Sequence, residues 1–527
     1  MPIQLDGLTL TLSSNEETLR RRIATRLGVP LGRIVSYRVL RKSLDARDKN
    51  KIRWVYSVLI EAADEGELLR RWRDDPRIKP LLDADNPLPV PRLEWAGRPI
   101  VVGSGPAGLF AADFLARAGR PPLVLERGEP VERRDADVRA LLAEGRLNPE
   151  SNICFGEGGA GTYSDGKLYT RVNDPFVGQV YRTFVELGAP ASILSDAEPH
   201  LGSDRLPEYI ANFRRRLQEQ GVEFRFNARV TALTIADGRV QGVELADGTT
   251  LPADRVILAV GHSAADLVRR LHAQGVAVAA KGFAVGVRIE HPQELIDRLQ
   301  YGRAAGHPKL PPASYRLTFK AAGGRGVYSF CMCPGGMILP SGTDPEHLVI
   351  NGGSNAGRSG PRANAALVVA VSPADFGDGP LDGLRFREQI EGAAASLGDG
   401  ARCLAPAQTA GDFLAERAGQ RVPDVSYLPG VKPADLRAAL PEFVAQGLRE
   451  ALSAWNRRLK GFAGDAAVLI GVETRTSSPW RLVRDENYQS LGIRGLIVVG
   501  EGAGYAGGIV SSAIDGIKAV LAQADRG

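Results

Sequence analysis

The chain is poor in the residues that mark disulfide-rich, zinc-binding and membrane-spanning proteins. Its 527 residues include 4 cysteines and 6 histidines, and the cysteines, at positions 154, 331, 333 and 403, follow no zinc-binding spacing. So few cysteines do not form a disulfide framework, and we therefore expect a reducing, cytoplasmic setting and no metal. No apolar run reaches the roughly 18 residues of a membrane-spanning helix, which predicts no membrane partner. The first residues contain no basic segment followed by an apolar core, so we expect no signal peptide.

The charge of the chain is small in sum but uneven along its length. The formal net charge is +5, yet between Arg20 and Arg53 there are 12 Lys and Arg residues against only Asp45 and Asp48. A local basic excess of this kind attracts anionic partners. Hydrophobic residues make up 44% of the chain, as in an ordinary globular protein, and the length predicts two or three domains.

Residues 1–92 are predicted to form an α+β accessory domain. Strands at 3–12, 33–40 and 52–62 and helices at 14–27 and 65–73 give the order β-α-β-β-α, which suggests a ferredoxin-like layer. A proline-rich linker, Asn86 to Arg92, follows. The charged loop from Arg41 to Lys51 has two interpretations: a surface for an anionic ligand or nucleic acid, or the solvated tip of a hairpin. No interleaved aromatic residues support stacking of nucleic-acid bases.

The stretch Pro99 to Gly128 has the pattern of a dinucleotide-binding unit: strand, glycine turn, helix, second strand and acid. Glycines at 103, 105 and 108 permit the turn, the approach of a pyrophosphate and the packing of the helix. Glu126 ends the second strand, where it is expected to accept hydrogen bonds from ribose hydroxyls. The residues predicted to contact the cofactor here are Gly103, Ser104, Gly105, Pro106, Ala107, Gly108, Glu126 and Arg127. The alternative is a glycine turn that binds nothing.

Two later segments are predicted to reach the same cofactor. The glycine-rich stretch Phe155 to Arg171 would wrap it through Gly158, Gly159 and Ala160, although a mobile loop is the alternative. The strand Val256 to Val260 is predicted to return to the parallel sheet beside the first strand. Val230 and Gly261 are the further contacts expected near the adenosine.

The C-terminal end indicates FAD as the cofactor in preference to NAD. A buried strand leads to Gly500 and Glu501, and a glycine stretch then opens a helix at Ile509. Amides at that helix start would face the flavin, so Gly507, Gly508 and Ile509 join the predicted contacts. No second strand–glycine–helix unit is found, so any NAD(P)H would dock only transiently. We expect an FAD-binding domain at 96–281 and 465–527, with a substrate domain, 282–464, inserted in it.

Six motifs carry a resemblance to a known family across nearly the whole chain. They are VVGSGPAGLFAA, FGEGGAGTYSDGKL, FAVGVRIEHPQ, CMCPGG, ETRTSSP and GEGAGYAGGIVSSAIDG. With them the chain resembles the bacterial FAD-dependent dehydrogenase (NAD(P)/FAD-dependent oxidoreductase) family. The resemblance implies an α/β fold with a glutathione-reductase-type, Rossmann-like FAD domain, an inserted α+β domain and an N-terminal accessory domain. Glu501 departs from the broader flavoprotein pattern, where Asp is more usual.

Five side chains are candidates for chemistry at the flavin. Glu473 would act as acid or base and Arg475 would clamp an anionic substrate, unless the two form an ion pair with each other. Lys167 would contact the flavin ring or a phosphate. Cys331 and Cys333 would form a thiol relay, although small core residues on an alternating strand are the alternative.

The function predicted is that of an FAD-dependent oxidoreductase acting on a small anionic or unsaturated substrate. The substrate itself, NAD(P)H or a protein donor would reduce the flavin. Two alternatives stay open from the sequence: an FAD-dependent enzyme that modifies RNA held by the basic N-terminal domain, and a flavin-binding protein without turnover. The oligomeric state is left open.

Overall fold

The computed structural model describes residues 2–81, 90–170 and 172–524. Most of the predicted linker, residues 86–89, and Arg171 lie outside the described residues. The strands are β1 Ile3–Thr11, β2 Ile34–Asp45, β3 Arg53–Ala62, β4 Ile78–Pro80, β5 Ile100–Val102, β6 Leu123–Leu125, β7 Glu223–Arg225, β8 Val230–Ala236, β9 Arg239–Leu245, β10 Thr250–Pro252, β11 Val256–Leu258, β12 Val278–Ala280, β13 Phe283–Pro292, β14 Thr318–Lys320, β15 Gly326–Cys333, β16 Gly336–Pro340, β17 Ile350–Ser354, β18 Arg362–Val371, β19 Ala405–Thr409, β20 Val431–Pro433, β21 Val468–Glu473, β22 Trp480–Leu482 and β23 Leu496–Val498.

The helices lie between these strands in chain order, and several of them cover the sheets. They are α1 Glu16–Leu27, α2 Glu65–Arg71, α3 Pro106–Arg117, α4 Val131–Glu144, α5 Phe176–Glu186, α6 Leu206–Glu219, α7 Ala265–Ala273, α8 Gln293–Tyr301, α9 Pro373–Phe376, α10 Asp382–Leu397, α11 Ala410–Leu414, α12 Glu442–Arg458 and α13 Ile509–Leu521. Over the three described ranges, no helix combines the length and the apolar character needed to cross a membrane.

The N-terminal segment forms an antiparallel sheet in the order β2-β3-β1-β4, covered by two helices. Asn15 caps α1 by accepting the N–H of Thr18, and Gly28 ends it at φ 68°, as the sequence predicts. The short strand β4 was not predicted. With it, the order β-α-β-β-α-β is that of a ferredoxin-like layer.

The charged stretch after residue 40 is partly a strand, although the sequence predicts a loop from Arg41 to Lys51. Strand β2 continues to Asp45 because its backbone keeps pairing with β3 as far as Arg53. The same stretch also contacts the next part of the chain: the N–H of Lys42 donates to Ser195 O (2.7 Å), and Ala197 N donates to Lys42 O (2.9 Å). These bonds hold the N-terminal sheet against the rest of the molecule.

The dinucleotide-type unit is a parallel sheet in the order β23-β11-β5-β6-β7. Strands β5, β6, β11 and β23 are buried on both faces, as their continuous Val, Ile and Leu residues require, whereas the edge strand β7 is partly exposed. Strand β11 pairs with β5, which confirms the predicted return of the chain to this position. Strands β6 and β7 follow on one side of β5, whereas β11 and β23 lie on its other side, so the strand order reverses between β5 and β11 and a crevice opens at their carboxyl ends.

Two helices pack closely over this sheet at the crevice. A Cβ placed on Gly516 of α13 would lie 2.2 Å from the carbonyl oxygen of Ala107 in α3. The missing side chain therefore lets α13 lie directly on α3, with both helix N-termini at the same end of the sheet.

Strands β8, β9 and β10 form a separate antiparallel sheet. The turn Asp237–Gly238, at φ 51° and 65°, joins β8 to β9 in a hairpin, for which an Asp-Gly pair between alternating runs is a sequence signal. The sequence predicts one strand from Glu223 to Val230. Instead β7 joins the parallel sheet, and β8 begins the antiparallel one.

A seven-stranded sheet in the order β14-β15-β18-β13-β21-β19-β20 forms most of the inserted region. Helix α12 packs on it through buried residues that include Trp455. Strand β21 pairs with β13 and β19. The predicted resumption of the FAD domain at residue 465 is therefore too early, because Val468–Glu473 belongs to this second sheet.

The chain enters and leaves the inserted region at neighbouring points. Lys281 N donates to Pro479 O (3.1 Å), and Thr476 Oγ1 both accepts the N–H of Ala284 (3.2 Å) and donates to its carbonyl (2.9 Å). The two connections thus run side by side.

Candidate functional site

A cavity of about 1030 Å³ lies at the carboxyl ends of the parallel strands and extends to the seven-stranded sheet. The stretches that line it include the turn after β5, parts of residues 154–170, residues 259–264, and the residues after β23. Gly105 and Gly507, which are about 400 residues apart in the chain, therefore face one space. Binding pockets for small ligands span roughly 300–1,000 Å³, so there is room for a large cofactor.

Most of the predicted site residues line this cavity. They are Gly103, Gly105, Pro106, Ala107, Glu126, Arg127, Gly159, Ala160, Lys167, Val230, Gly261, Cys331, Arg475, Gly500, Glu501, Gly507, Gly508 and Ile509. Five predicted residues lie behind the wall instead: Ser104, Gly108, Gly158, Cys333 and Glu473.

The three glycines of the motif after β5 differ in what a side chain at each position would contact. A Cβ on Gly103, at φ 101°, would lie 2.5 Å from Ala259 O, and one on Gly108 would lie 1.9 Å from Gly103 O. A Cβ on Gly105 would meet nothing closer than Gly159 Cα, at 3.9 Å. Gly105 is thus free of protein contacts, and a side chain there would fill the cavity itself.

The glycine-rich segment 152–161 is held in place by a buried arginine that was not predicted. Arg134, with no exposed surface, donates to the carbonyl oxygens of Asn152, Ile153, Glu157 and Gly159. These bonds fix the loop against the turn after β5. The sequence offers no signal for this role, because Arg134 lies in an otherwise charged, exposed-looking helix.

Glu126 holds the glycine turn through hydrogen bonds within the protein. Its carboxylate accepts the N–H and the hydroxyl of Ser104 (3.0 and 2.7 Å) and the N–H groups of Gly128 and Gly156 (3.1 and 3.0 Å). These four bonds match the acceptor capacity of a carboxylate. Ribose hydroxyls would therefore have to replace one of them. Arg127 stacks over Phe155 at 3.8 Å.

Glycines without neighbouring protein atoms form part of the cavity wall near Glu501. Cβ positions on Gly261, Gly507 and Gly508 would meet no atom within 4 Å. Loss of water contact raises the pKa of Glu501 to about 7, although the N–H of Gly508 and the charge of Lys281 favour its ionised form. Lys281 itself donates to Ser477 Oγ (2.9 Å) and was not predicted.

These features fit FAD. Helices α3 and α13 both start at this cavity with glycine N-caps and no capping side chain, so their first amides remain available to anionic groups. The open glycine positions provide a cradle that side chains would fill. Gly103 to Ala107 would hold the pyrophosphate, and Gly507 to Ile509 the flavin.

A cluster of charges and thiols forms another part of the site. Lys167 Nζ lies 3.1 Å from Asp165 Oδ2, 3.4 Å from Cys333 Sγ and 3.9 Å from Cys331 Sγ. The sequence-based alternative places the two cysteines on one face of a regularly alternating strand. The pairing of β15 with β18, however, shifts register between Phe330 and Cys333. Cys331 sits in that irregularity at φ 45°.

Glu473 and Arg475 do not pair with each other, contrary to one of the two predicted interpretations. Glu473 binds buried Arg288 (2.7 Å), and burial raises the pKa of Glu473 to about 7. Arg475 binds Glu391 (3.0 Å), whose pKa the neighbouring Arg475 and Arg387 lower to about 2 despite its burial. Arg475 alone faces the cavity, where its NH1 group donates to Ser263 Oγ (3.1 Å).

Arg358 was not among the predicted site residues; it lies in the glycine-rich stretch NGGSNAGRSGPRANAA, residues 351–366. It lines the cavity and donates to Asp165 Oδ2 (2.8 Å). Its Nε is buried without a hydrogen-bond partner. A charged residue within a glycine-rich loop was the signal that could have identified it.

Carboxylates neutralise several basic side chains of the N-terminal region by forming ion pairs with them. Asp45 binds Arg47 and Arg53, Arg26 binds Asp75, and Arg33 binds Asp64. An anionic ligand or nucleic acid at this surface stays a prediction.

Three parts of the chain match models of known protein families. A family model described as "FAD-dependent protein, C-terminal domain-like" matches residues 282–476, and one described as "Pyridine nucleotide-disulphide oxidoreductase" matches residues 181–288. A domain of unknown function matches residues 2–61.

Related proteins and structures were also found. An uncharacterised protein of Clostridium beijerinckii is 41% identical over 523 residues, 98% of each chain. Protein FixC of Escherichia coli is 32% identical over 211 residues, 38% of this chain and 45% of FixC.

Solved structures with low sequence identity include the flavin-dependent brominase Bmp2, with 13% identity, TM-score 0.35 and coverage of 82% of this chain and 80% of that one. Another is the glycerol-3-phosphate dehydrogenase of Bacillus halodurans complexed with FAD, with 11% identity, TM-score 0.36 and coverage of 82% and 64%. The near-full-length identity with the clostridial protein, together with the two matched flavoprotein models, leads to one conclusion: the chain belongs to a family of FAD-dependent oxidoreductases.

Proposed function

We propose that this oxidoreductase acts on a small anionic substrate held beside the FAD by basic side chains of the cavity wall. The observation that carries the proposal is the presence of Lys167, Arg316 and Arg358 on the same cavity as Gly105 and Gly507. Basic side chains bind carboxylates and phosphates by charge-assisted hydrogen bonds. Asp165 pairs with Lys167 and Arg358, and Glu198 pairs with Arg316, so two carboxylates balance two of these three charges and one positive charge remains for an anionic substrate.

Arg358 is the best placed of the three to bind a substrate. Its guanidinium has five N–H donors, one nitrogen pairs with Asp165, and the buried Nε has no partner. Its side chain is 15% exposed, toward the cavity it lines. Donors of this kind remain available to a carboxylate or phosphate.

FAD would supply the transfer of an electron pair to or from the substrate. The chain's own residues position it and exclude water. Gly105 and Gly159 leave room for its pyrophosphate, Gly507 and Gly508 leave room at the start of α13, and Glu501 carries a carboxyl group that holds a proton for part of the time near neutral pH.

We further propose that NAD(P)H, as transient donor, reduces the flavin. In support, the described residues form a single five-stranded parallel sheet of the dinucleotide type, and its crevice is lined by the glycines assigned to FAD. A nicotinamide donor would therefore use the open mouth of the same cavity.

The test is anaerobic reduction of the purified yellow protein by NADH and by NADPH, followed by re-oxidation with small acceptors that carry a reducible C=C or C=O bond: unsaturated or keto dicarboxylates, keto phosphate esters and their neutral analogues. We expect anionic compounds alone to re-oxidise the flavin. Arg358→Gln should raise the KM for the anion at least about tenfold, since one charge-assisted bond contributes up to roughly 3 kcal/mol, with flavin content unchanged. Arg402→Gln, at a side chain 79% exposed, is the matched control. Equal turnover of neutral analogues would refute an anion site.

A further inference from the structure

Two cysteines of the seven-stranded sheet form a pair at the edge of the FAD cavity. Cys331 lines the cavity and is partly exposed, whereas Cys333 is fully buried directly behind it. The register shift in β15 and the left-handed backbone of Cys331 place both sulfurs beside Lys167 Nζ, at 3.9 Å for Cys331 and 3.4 Å for Cys333, and the Cys333 thiol also donates to the backbone carbonyl of Cys331 (3.3 Å). In a regular strand these side chains would stand two residues apart along one face.

Charged groups surround the pair on every side. Lys167 Nζ lies within 3.9 Å of both sulfurs, and Arg288 NH2 lies 3.7 Å from Cys333 Sγ and 2.7 Å from Cys331 O. Asp165 and Glu473 oppose them, each already paired, Asp165 with Lys167 and Glu473 with Arg288. Asp165 also binds Arg358, so three cations stand against two carboxylates around the pair.

The two thiols differ in acidity for physical reasons. The hydrogen bond from Cys333 and the charges of Lys167 and Arg288 hold the pKa of Cys331 well below its usual range. The same hydrogen bond and burial raise the pKa of Cys333. A reactive thiolate beside a protonated thiol is the arrangement of a nucleophilic and a resolving cysteine.

We propose that Cys331 and Cys333 are a redox-active pair that reduces hydroperoxides entering the cavity and closes to an intramolecular disulfide. This activity does not depend on the proposed anionic substrate. It uses only thiols, and the oxidant is the hydroperoxide itself.

The reaction balances in two steps. The Cys331 thiolate attacks the distal oxygen of ROOH; the O–O bond breaks, an S–O bond forms, and one proton yields Cys331–SOH and ROH. Cys333 then attacks that sulfur; the S–S bond forms, the S–O bond breaks, and the Cys333 proton leaves with the hydroxyl as water. The two thiols lose two electrons, which the peroxide oxygens gain.

The experiment treats the purified full-length protein with one equivalent of hydrogen peroxide, blocks free thiols with iodoacetamide after denaturation, and identifies the products by mass spectrometry. We expect the peptide holding both cysteines to lose about 2 Da, the signature of a disulfide, and to escape alkylation. Cys403, which is buried away from Lys167, should be alkylated completely and serves as the internal control.

Variants separate the two roles. In Cys333→Ser, dimedone should trap a sulfenic acid on Cys331; in Cys331→Ser, peroxide should leave Cys333 reduced. Native-state alkylation of Cys331 should remain fast at pH 6, and Lys167→Met should slow it at least about tenfold, since it removes one cation, while Lys167→Arg restores it.

Flavin absorbance monitors folding of each variant. If Cys331 alkylates no faster than Cys403 and peroxide leaves both thiols free in the wild-type protein, the pair is not redox-active. Because the readout is thiol mass and not turnover, that result would leave the proposed oxidoreductase function untouched.

Discussion

A substitution at Gly105 tests cofactor binding without disturbing the fold. Its backbone has φ −72°, which any residue adopts, and a Cβ there would meet no protein atom closer than 3.9 Å. We expect Gly105→Val to abolish the flavin spectrum on purification while the thermal unfolding of the apoprotein stays within a few degrees of the wild-type apoprotein. Gly323→Val, at a turn glycine with nothing within 4 Å, is the control and should purify yellow. Full flavin occupancy in Gly105→Val would refute the pyrophosphate assignment.

Glu157 should make folding sensitive to pH. The side chain is fully buried, Oε1 has no partner, and burial raises its pKa to about 7 from 4.5. Between pH 4.5 and 7 the folded protein therefore holds a proton that the unfolded chain has lost, so stability falls as pH rises through that window.

The measurement compares urea unfolding of wild type and Glu157→Gln from pH 5 to 8. The stability of the wild type should fall more steeply, by at most roughly 1.4 kcal/mol per pH unit relative to the variant. Parallel curves for the two proteins would contradict the assignment.

The ion-pair partners of charged residues that are close in sequence were the hardest feature to predict. Glu473 and Arg475 suggest a mutual pair, yet their partners, Arg288 and Glu391, are 185 and 84 residues away. Pairing of β13 with β21 brings Arg288 to Glu473, and Glu391 comes from helix α10, so no local pattern contains either partner. The same holds for the bulge at Cys331, since nothing in C-M-C predicts a left-handed residue.

The packing of α13 on α3 couples the two ends of the cofactor site. A Cβ on Gly516 would overlap Ala107 O at 2.2 Å, so Gly516→Val should push the helices apart. We expect loss of flavin and destabilisation by several kcal/mol, as for other overpacked buried positions. Chemical denaturation and flavin absorbance measure both effects.

The matched control is Gly392→Ala in α10, another glycine inside a helix. A Cβ there has ordinary contact only, with Glu346 O at 3.8 Å. Alanine should be neutral or stabilise the protein by up to about 1 kcal/mol through its helix propensity. A stable, yellow Gly516→Val would show that this close approach is dispensable.

Elements whose signals are local were predicted well. Strands β5 and β6, helix α3 and the cap of α1 depend on glycines, caps and apolar runs within about 30 residues. The continuation of β2 and the short β4 were missed, because they exist through pairing with β3 and β1 rather than through their own composition. The division at residue 465 failed for the same reason.

The N-terminal sheet is attached to the rest of the molecule through the backbone of Lys42. Lys42→Pro removes the N–H that binds Ser195 O. We expect hydrogen exchange of residues 41–45 and 195–197 to accelerate at least roughly fivefold, which corresponds to about 1 kcal/mol for one hydrogen bond, with flavin content unchanged. Lys42→Ala keeps the N–H and should exchange like wild type. Unchanged exchange in the proline variant would mean that other contacts hold this sheet.

The arrangement of the whole molecule was predicted in outline from the glycine motifs at its two ends. What no motif could reveal is that the seven-stranded sheet supplies Cys331, and the loop after β17 supplies Arg358, to a cavity begun by another sheet.

The inserted region begins and ends at neighbouring points, Ala284 and Thr476, and this has a consequence for how such enzymes diversify. Because hydrogen bonds join the entry and exit points, the region between them is an insertion, or cassette, whose two ends lie next to each other on the FAD-binding part of the chain. A gene encoding a different cassette with the same end spacing could be spliced in without rebuilding the flavin cradle. New substrate preferences could thus arise by exchange of one block, with the electron-transfer machinery inherited intact.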